Sequence, residues 1–107
     1  MIFNKNKTTL MGCLDTVSTF YFPSSLTSIA DRAFNNSTNI NNFDIPSGIT
    51  SIGNYAFNNS HFNQITIPTS VTSIGNYAFA SANTNSTLIL SNLTSLGEYS
   101  FSNNTSL

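Results

Sequence analysis

Apolar positions along the chain repeat as apolar-x-x-apolar-x-apolar-Pro: Val17, Phe20 and Phe22 before Pro23, Ile40, Phe43 and Ile45 before Pro46, and Phe62, Ile65 and Ile67 before Pro68. The last two apolar positions of each set are two residues apart, the period of a short strand with one buried face. Proline, which has no N–H for the ladder, ends that strand. Two turn residues later come Leu26 and Ile29, Ile49 and Ile52, Val71 and Ile74, and Leu93 and Leu96, each pair bracketing Thr-Ser. Their β-branched bias predicts a second, shorter extended piece on the opposite flank. Gly53, Gly75 and Gly97 follow, with Ala30 as the exception, and supply a residue suited to positive φ. Asp31, Asn54, Asn76 and Glu98 come next, and Asp or Asn there predicts the N-cap of one helical or 3-10 turn. That turn runs through Arg32–Phe34, Tyr55–Phe57, Tyr77–Phe79 and Tyr99–Phe101. Ala33, Ala56, Ala78 and Ser100 are small where neighbouring units press together, and the phenylalanines are expected to stack as a core ladder.

Phe34, Phe57, Phe79 and Phe101 lie 23, 22 and 22 residues apart. A period of roughly 20–29 residues indicates a leucine-rich-repeat solenoid, an α/β repeat in which each unit buries its apolar face only against its neighbours. The expected fold is one solenoid over residues 1–107, about four coils long, with parallel strands on the concave face. A degenerate first unit takes 1–22, repeats take 23–45, 46–67 and 68–90, and an incomplete repeat takes 91–107. In the fourth unit Leu88 and Leu90 stand for the strand residues and proline is lost. In the first, Leu10 or Met11 stands where phenylalanine is expected. Leu107 follows Phe101 by six residues, as Ile40 follows Phe34. This suggests a piece of a longer array, or terminal coils that pair end to end.

Asn 17, Ser 17 and Thr 14 make up 48 of the 107 residues, and only seven are charged. The periodic apolar positions nevertheless argue for a folded chain rather than a disordered one. A net charge of −1 from scattered residues offers no footprint for a nucleic-acid backbone or an anionic membrane. No apolar run approaches the roughly 18 residues of a membrane span. Leu10-Met11-Gly12-Cys13 imitates a lipoprotein box, but its apolar core of about four residues falls short of the roughly 7–15 a signal needs. Cys13 is alone, so cysteine usage leaves the compartment open.

Chemistry is sparse. His61, the single histidine, falls in a polar loop rather than beside a nucleophile in a cleft. Cys13 is at no ligand spacing from it, and Asp15, Asp31, Asp44 and Glu98 belong to different units, so neither a zinc nor a calcium set is expected. No catalytic residue, metal or cofactor is therefore assigned. Strand alternation sends Thr19 and Tyr21, Asn42 and Asp44, Gln64 and Thr66, and Thr87 and Ile89 outward. With strands roughly 4.8 Å apart, Tyr21, Asp44, Thr66 and Ile89 form one row, and Thr19, Asn42, Gln64 and Thr87 another. These eight are the candidate protein-binding face. Tyr55, Tyr77 and Tyr99 read as half-buried packing or as an aromatic platform for carbohydrate. Asn6, Asn35, Asn36, Asn58, Asn85, Asn92, Asn103 and Asn104 stand in glycosylation sequons, as chance provides in so Asn-, Ser- and Thr-rich a chain.

The recurring Ile-Pro, Thr-Ser-Ile-Gly and Tyr-Ala-Phe blocks resemble the BspA-like leucine-rich repeats, whose unit ends in a small buried cysteine. The resemblance spans about residues 10–107, with Ser37, Ser60 and Ala82 at the cysteine position, where packing should be weaker. Met11-Gly12-Cys13 resembles the unit's ending, one residue out of register. The resemblance implies a right-handed curved solenoid on a secreted or cell-surface protein, non-enzymatic and adhesin-like, binding host or matrix proteins. A spacer or self-assembling stalk segment without a ligand is the alternative.

Overall fold

Each Thr-Ser-Ile block forms a two-residue strand that lies parallel to the next. The computed structural model describes residues 2–12, 22–37, 40–82 and 92–104. Its strands are β1 (Ile2–Phe3), β2 (Thr9–Gly12), β3 (Ser28–Ile29), β4 (Ile40–Asp44), β5 (Ser51–Ile52), β6 (Phe62–Thr66), β7 (Ser73–Ile74) and β8 (Ser95–Leu96). One sheet runs β1-β2-β3-β5-β7-β8 and a second pairs β4 with β6. All neighbours are parallel except β1, which folds back antiparallel on β2. The shorter strands thus form the extended second flank, and β4 and β6 are the strands expected before proline. Val17, Phe20, Leu88 and Leu90 lie outside the described residues.

Like stacks on like. Ser28 pairs with Ser51, Ser51 with Ser73 and Ser73 with Ser95, and the isoleucines beside them keep the same register. Ile29, Ile52 and Ile74 are buried together with Leu26, Ile49 and Val71. Phe34, Phe57 and Phe79 are fully buried. Their rings stack at 5.0 Å, and Phe79 stacks on Phe101 at 5.2 Å. Ala33, Ala56, Ala78 and Ser100 are buried beside them, as close coil packing requires.

The segment after each glycine is not helical, and no helix occurs among the described residues. It is a chain of tight turns, with Ala33 N–H bonding to Ala30 O, Asn35 N–H to Arg32 O and Ser37 N–H to Phe34 O. The other amides leave the unit altogether. Arg32, Phe34 and Asn36 N–H donate to Asn54, Ala56 and Asn58 O of the next coil, and Tyr55, Phe57 and Asn59 repeat this on Asn76, Ala78 and Ala80. Amides committed along the stack cannot close i to i−4 rings, which excludes an α-turn. The Asp/Asn position also departs from the expected N-cap. Asp31 Oδ1 accepts from Asn54 N–H at 2.7 Å, Asn54 Oδ1 from Asn76 N–H at 2.8 Å and Asn76 Oδ1 from Glu98 N–H at 2.8 Å. The side chain links two coils instead of capping its own.

Positive φ likewise falls not on glycine but on Arg32, Tyr55, Tyr77 and Tyr99, at 56–62°, and on Asn36, Asn59, Ser81 and Asn103 four residues later. These are the third positions of their turns, where left-handed backbone is required. For arginine and tyrosine it costs roughly 1–2 kcal/mol each. Glycine serves close approach instead. A Cβ on Gly75 would lie 2.6 Å from Asn54 N and 2.7 Å from Gly53 C.

Leu10 does not stand in a phenylalanine's place. It pairs with Ile29 and is fully buried, so Thr9-Leu10 is the first Ser-Ile block of the ladder. Met11-Gly12 therefore follows the isoleucine position and does not end a unit.

Phe57→Ala should lower unfolding free energy by about 3–5 kcal/mol, much of the ~5–15 kcal/mol available to a domain; a melting point lowered by only a degree or two would show that the ring is not core. Gly75→Ala should also lower the denaturation midpoint, because the clash with Asn54 outweighs the ~0.4–1 kcal/mol that restricting the unfolded chain supplies. A raised midpoint would contradict that close approach.

Candidate functional site

The longer strands carry four positions of the expected outward row. In β4 and β6, Asn42 pairs with Gln64 and Asp44 with Thr66. Asp44 and Thr66 are exposed, whereas Ile45, Ile65 and Ile67 beside them are buried. The alternation that sends Ile65 into the core thus turns Thr66 to solvent. A carboxylate and a hydroxyl side by side can accept and donate hydrogen bonds to a docked chain. Thr19, Tyr21, Thr87 and Ile89, which complete the two candidate rows, lie outside the described residues.

A second row lies on the turn flank. Tyr55 stacks on Tyr77 at 5.0 Å and Tyr77 on Tyr99 at 5.3 Å, while the Arg32 guanidinium lies 4.9 Å from the Tyr55 ring centre. Cation and rings cover one another's faces, so sugar rings find few free faces on which to stack. The outer face of Tyr99, 64% exposed, is the opening at the end of the row.

His61 is exposed, and its backbone amide donates to Ser37 O. Among the described residues no three His, Cys, Asp or Glu side chains cluster as metal ligands would, and no helix is long and apolar enough to cross a membrane. Cys13 and Asp15 lie outside the described residues.

A family model described as "BspA type Leucine rich repeat region (6 copies)" matches residues 6–107, nearly the whole chain. The chain belongs to this family. Neither the curated proteins nor the solved structures contain a match. The resemblance made the position three residues after each phenylalanine a small core position. Here Ser37, Ser60 and Ala82 occupy it and are buried. Serine does more than fill space, since Ser60 Oγ donates to the Phe34 carbonyl one coil back. Asn104 takes the same place in the last unit and reaches Phe79 O through Nδ2 at 2.7 Å.

The sequence pattern hid these polar ladders. Asn58 Nδ2 donates to Asn35 Oδ1 and Asn59 Nδ2 to Asn36 Oδ1, at 3.1 and 2.9 Å. The hydroxyls of Thr27, Thr50, Thr72 and Thr94 bond to carbonyls of Thr8, Thr27, Thr50 and Thr72. Recurrence of the same polar type at the repeat spacing is the available signal, in the Asn-rich loops and in the Thr-Ser pairs of the shorter strands alike.

Ser60→Ala should cost about 1 kcal/mol, the net worth of one hydrogen bond, while Ser60→Val should cost more by overpacking a closed site. Chemical denaturation of both variants checks the order, and a valine variant as stable as wild type would show that the site is not closed.

Proposed function

We propose that residues 1–107 form one leucine-rich-repeat solenoid acting as a non-enzymatic protein-binding module of a secreted or cell-surface protein. The adhesin-like role and the host or matrix protein partner come from the family reading. BspA-type repeats are repeat-protein modules, generally non-enzymatic and typically surface-associated, and leucine-rich repeats generally mediate protein interactions. The observation that carries the reading is the exposed, in-register pair Asp44–Thr66 on the paired longer strands. The binding face proposed around it comprises Thr19, Tyr21, Asn42, Asp44, Gln64, Thr66, Thr87 and Ile89. Side chains that differ from unit to unit there can encode a partner, whereas Thr-Ser-Ile-Gly and Tyr-Ala-Phe are committed to the stack. Tyr21 is the natural anchor, since aromatic residues are enriched among binding hot spots, and Asp44 supplies the row's charge.

A specific observation also favours the spacer reading. Leu96 and Tyr99 are the exposed large hydrophobics at the β8 end, and the β8 edge pairs only with β7 among the described strands. A surface of that kind suits the addition of another coil.

The test is binding of the chain to immobilised extracellular-matrix proteins. The double variant Tyr21→Ala/Asp44→Ala should bind about tenfold more weakly, a loss of ~1.4 kcal/mol, with an unchanged melting temperature. Unchanged affinity would refute the face, and saturable binding by the folded chain would refute a spacer that has no ligand of its own.

A further inference from the structure

The tyrosine row has a chemistry that neither packing nor partner binding uses. Tyr55, Tyr77 and Tyr99 occupy equivalent turn positions, so consecutive rings lie nearly parallel, at 5° and 21°, with centres 5.0 and 5.3 Å apart. None of the three phenol oxygens is a buried atom lacking a partner, and none takes part in a hydrogen bond among the described residues. Tyr55 and Tyr77 are half-buried and Tyr99 is exposed, so the row lies within reach of a soluble oxidant. The two ends of the row differ. Tyr55 is held under the Arg32 guanidinium, at 4.9 Å, and a nearby cation opposes removal of an electron from the ring. Tyr99 is 64% exposed, and among the described residues no ring stacks on its outer face.

We propose that this row is a site of oxidative cross-linking, in which a haem peroxidase with hydrogen peroxide joins Tyr77 to Tyr99 through their ring carbons. Each phenol gives up one electron and its hydroxyl proton to become a neutral phenoxyl radical. The two radicals pair through the carbons ortho to oxygen and form one C–C bond. Each coupled carbon then passes its hydrogen to its own oxygen, which restores two phenols. Two hydrogens are lost in all, and they reduce one hydrogen peroxide to two waters. The fold supplies proximity, because the coupling partners already face each other and need only side-chain rotation to meet. The product ties two successive coils together covalently, at a flank otherwise held by hydrogen bonds and stacking.

The experiment treats the folded chain with a haem peroxidase and hydrogen peroxide, reads dityrosine fluorescence, and maps cross-linked peptides by mass spectrometry. The expected product is a monomer whose Tyr77 and Tyr99 peptides are joined with loss of two hydrogens, at a yield per molecule independent of protein concentration. Tyr99→Phe keeps an aromatic ring in the stack, so it should fold and yet lose most of the fluorescence. Tyr55→Phe should keep it. Unfolding the chain in urea before oxidation should abolish the preference for this pair. Cross-links only between molecules, a yield undiminished in urea, or a signal lost with Tyr55→Phe and kept with Tyr99→Phe would each overturn the proposal. So would absence of dityrosine in the folded chain under conditions in which the same peroxidase and hydrogen peroxide couple free tyrosine.

Discussion

Hydrogen bonding between successive coils is the constraint from which the rest of this fold follows. It runs in both directions. On the strand flank, Gly53, Gly75 and Gly97 N–H donate back to Ile29, Ile52 and Ile74 O, whereas on the turn flank Tyr55 and Phe57 N–H donate forward to Asn76 and Ala78 O. Each coil must therefore present the same backbone shape at the same height as its neighbour. Glycine and alanine recur because the coils meet through main chain. The left-handed turn position recurs because it aims alternate amides along the stack. Identical side chains then fall above one another, and the phenylalanine, tyrosine, asparagine and threonine ladders are by-products of that register. Their stacking and hydrogen bonds offset the strain of left-handed tyrosines.

Much of this was legible in the chain. The spacing of Phe34, Phe57, Phe79 and Phe101 marked both the period and the core, and the position before each proline marked the longer strands. The turn after the glycine was misjudged, because Asp or Asn ahead of an aromatic-Ala-Phe block has the local signature of a capped helical turn. Local signals assume that a segment bonds to itself, and here the partners are some 22 residues away. The glycines misled for a related reason. Their freedom in φ is their commonest use, but the decisive demand was for an absent Cβ against another coil. Leu10 was placed five residues out of phase because its distance to Ile29 is 19 residues, short of the usual period.

The proposed binding face is less legible than the scaffold because repeats fix what must be the same and leave free what differs between units. Alternation before Pro46 and Pro68 already puts Asp44 and Thr66 in one expected row, and the pairing of β4 with β6 sets them side by side. The tyrosine row is the reverse case: its members were easy to find as a repeat, yet the stacking that fills their faces, and so leaves few for a sugar, is a property of the assembled coils.

Amide hydrogen exchange tests the central claim that amides are committed along the stack. Tyr55, Phe57, Tyr77 and Phe79 N–H have acceptors in the next coil, whereas Tyr99, Phe101 and Asn103 N–H have none among the described residues, although Ser102 N–H still bonds to Tyr99 O within its own turn. Slow exchange is expected at the first four and fast exchange at Tyr99, Phe101 and Asn103. Protection of Tyr99 and Phe101 equal to that of Tyr77 and Phe79 would contradict it, since the turns would then be satisfying their own amides.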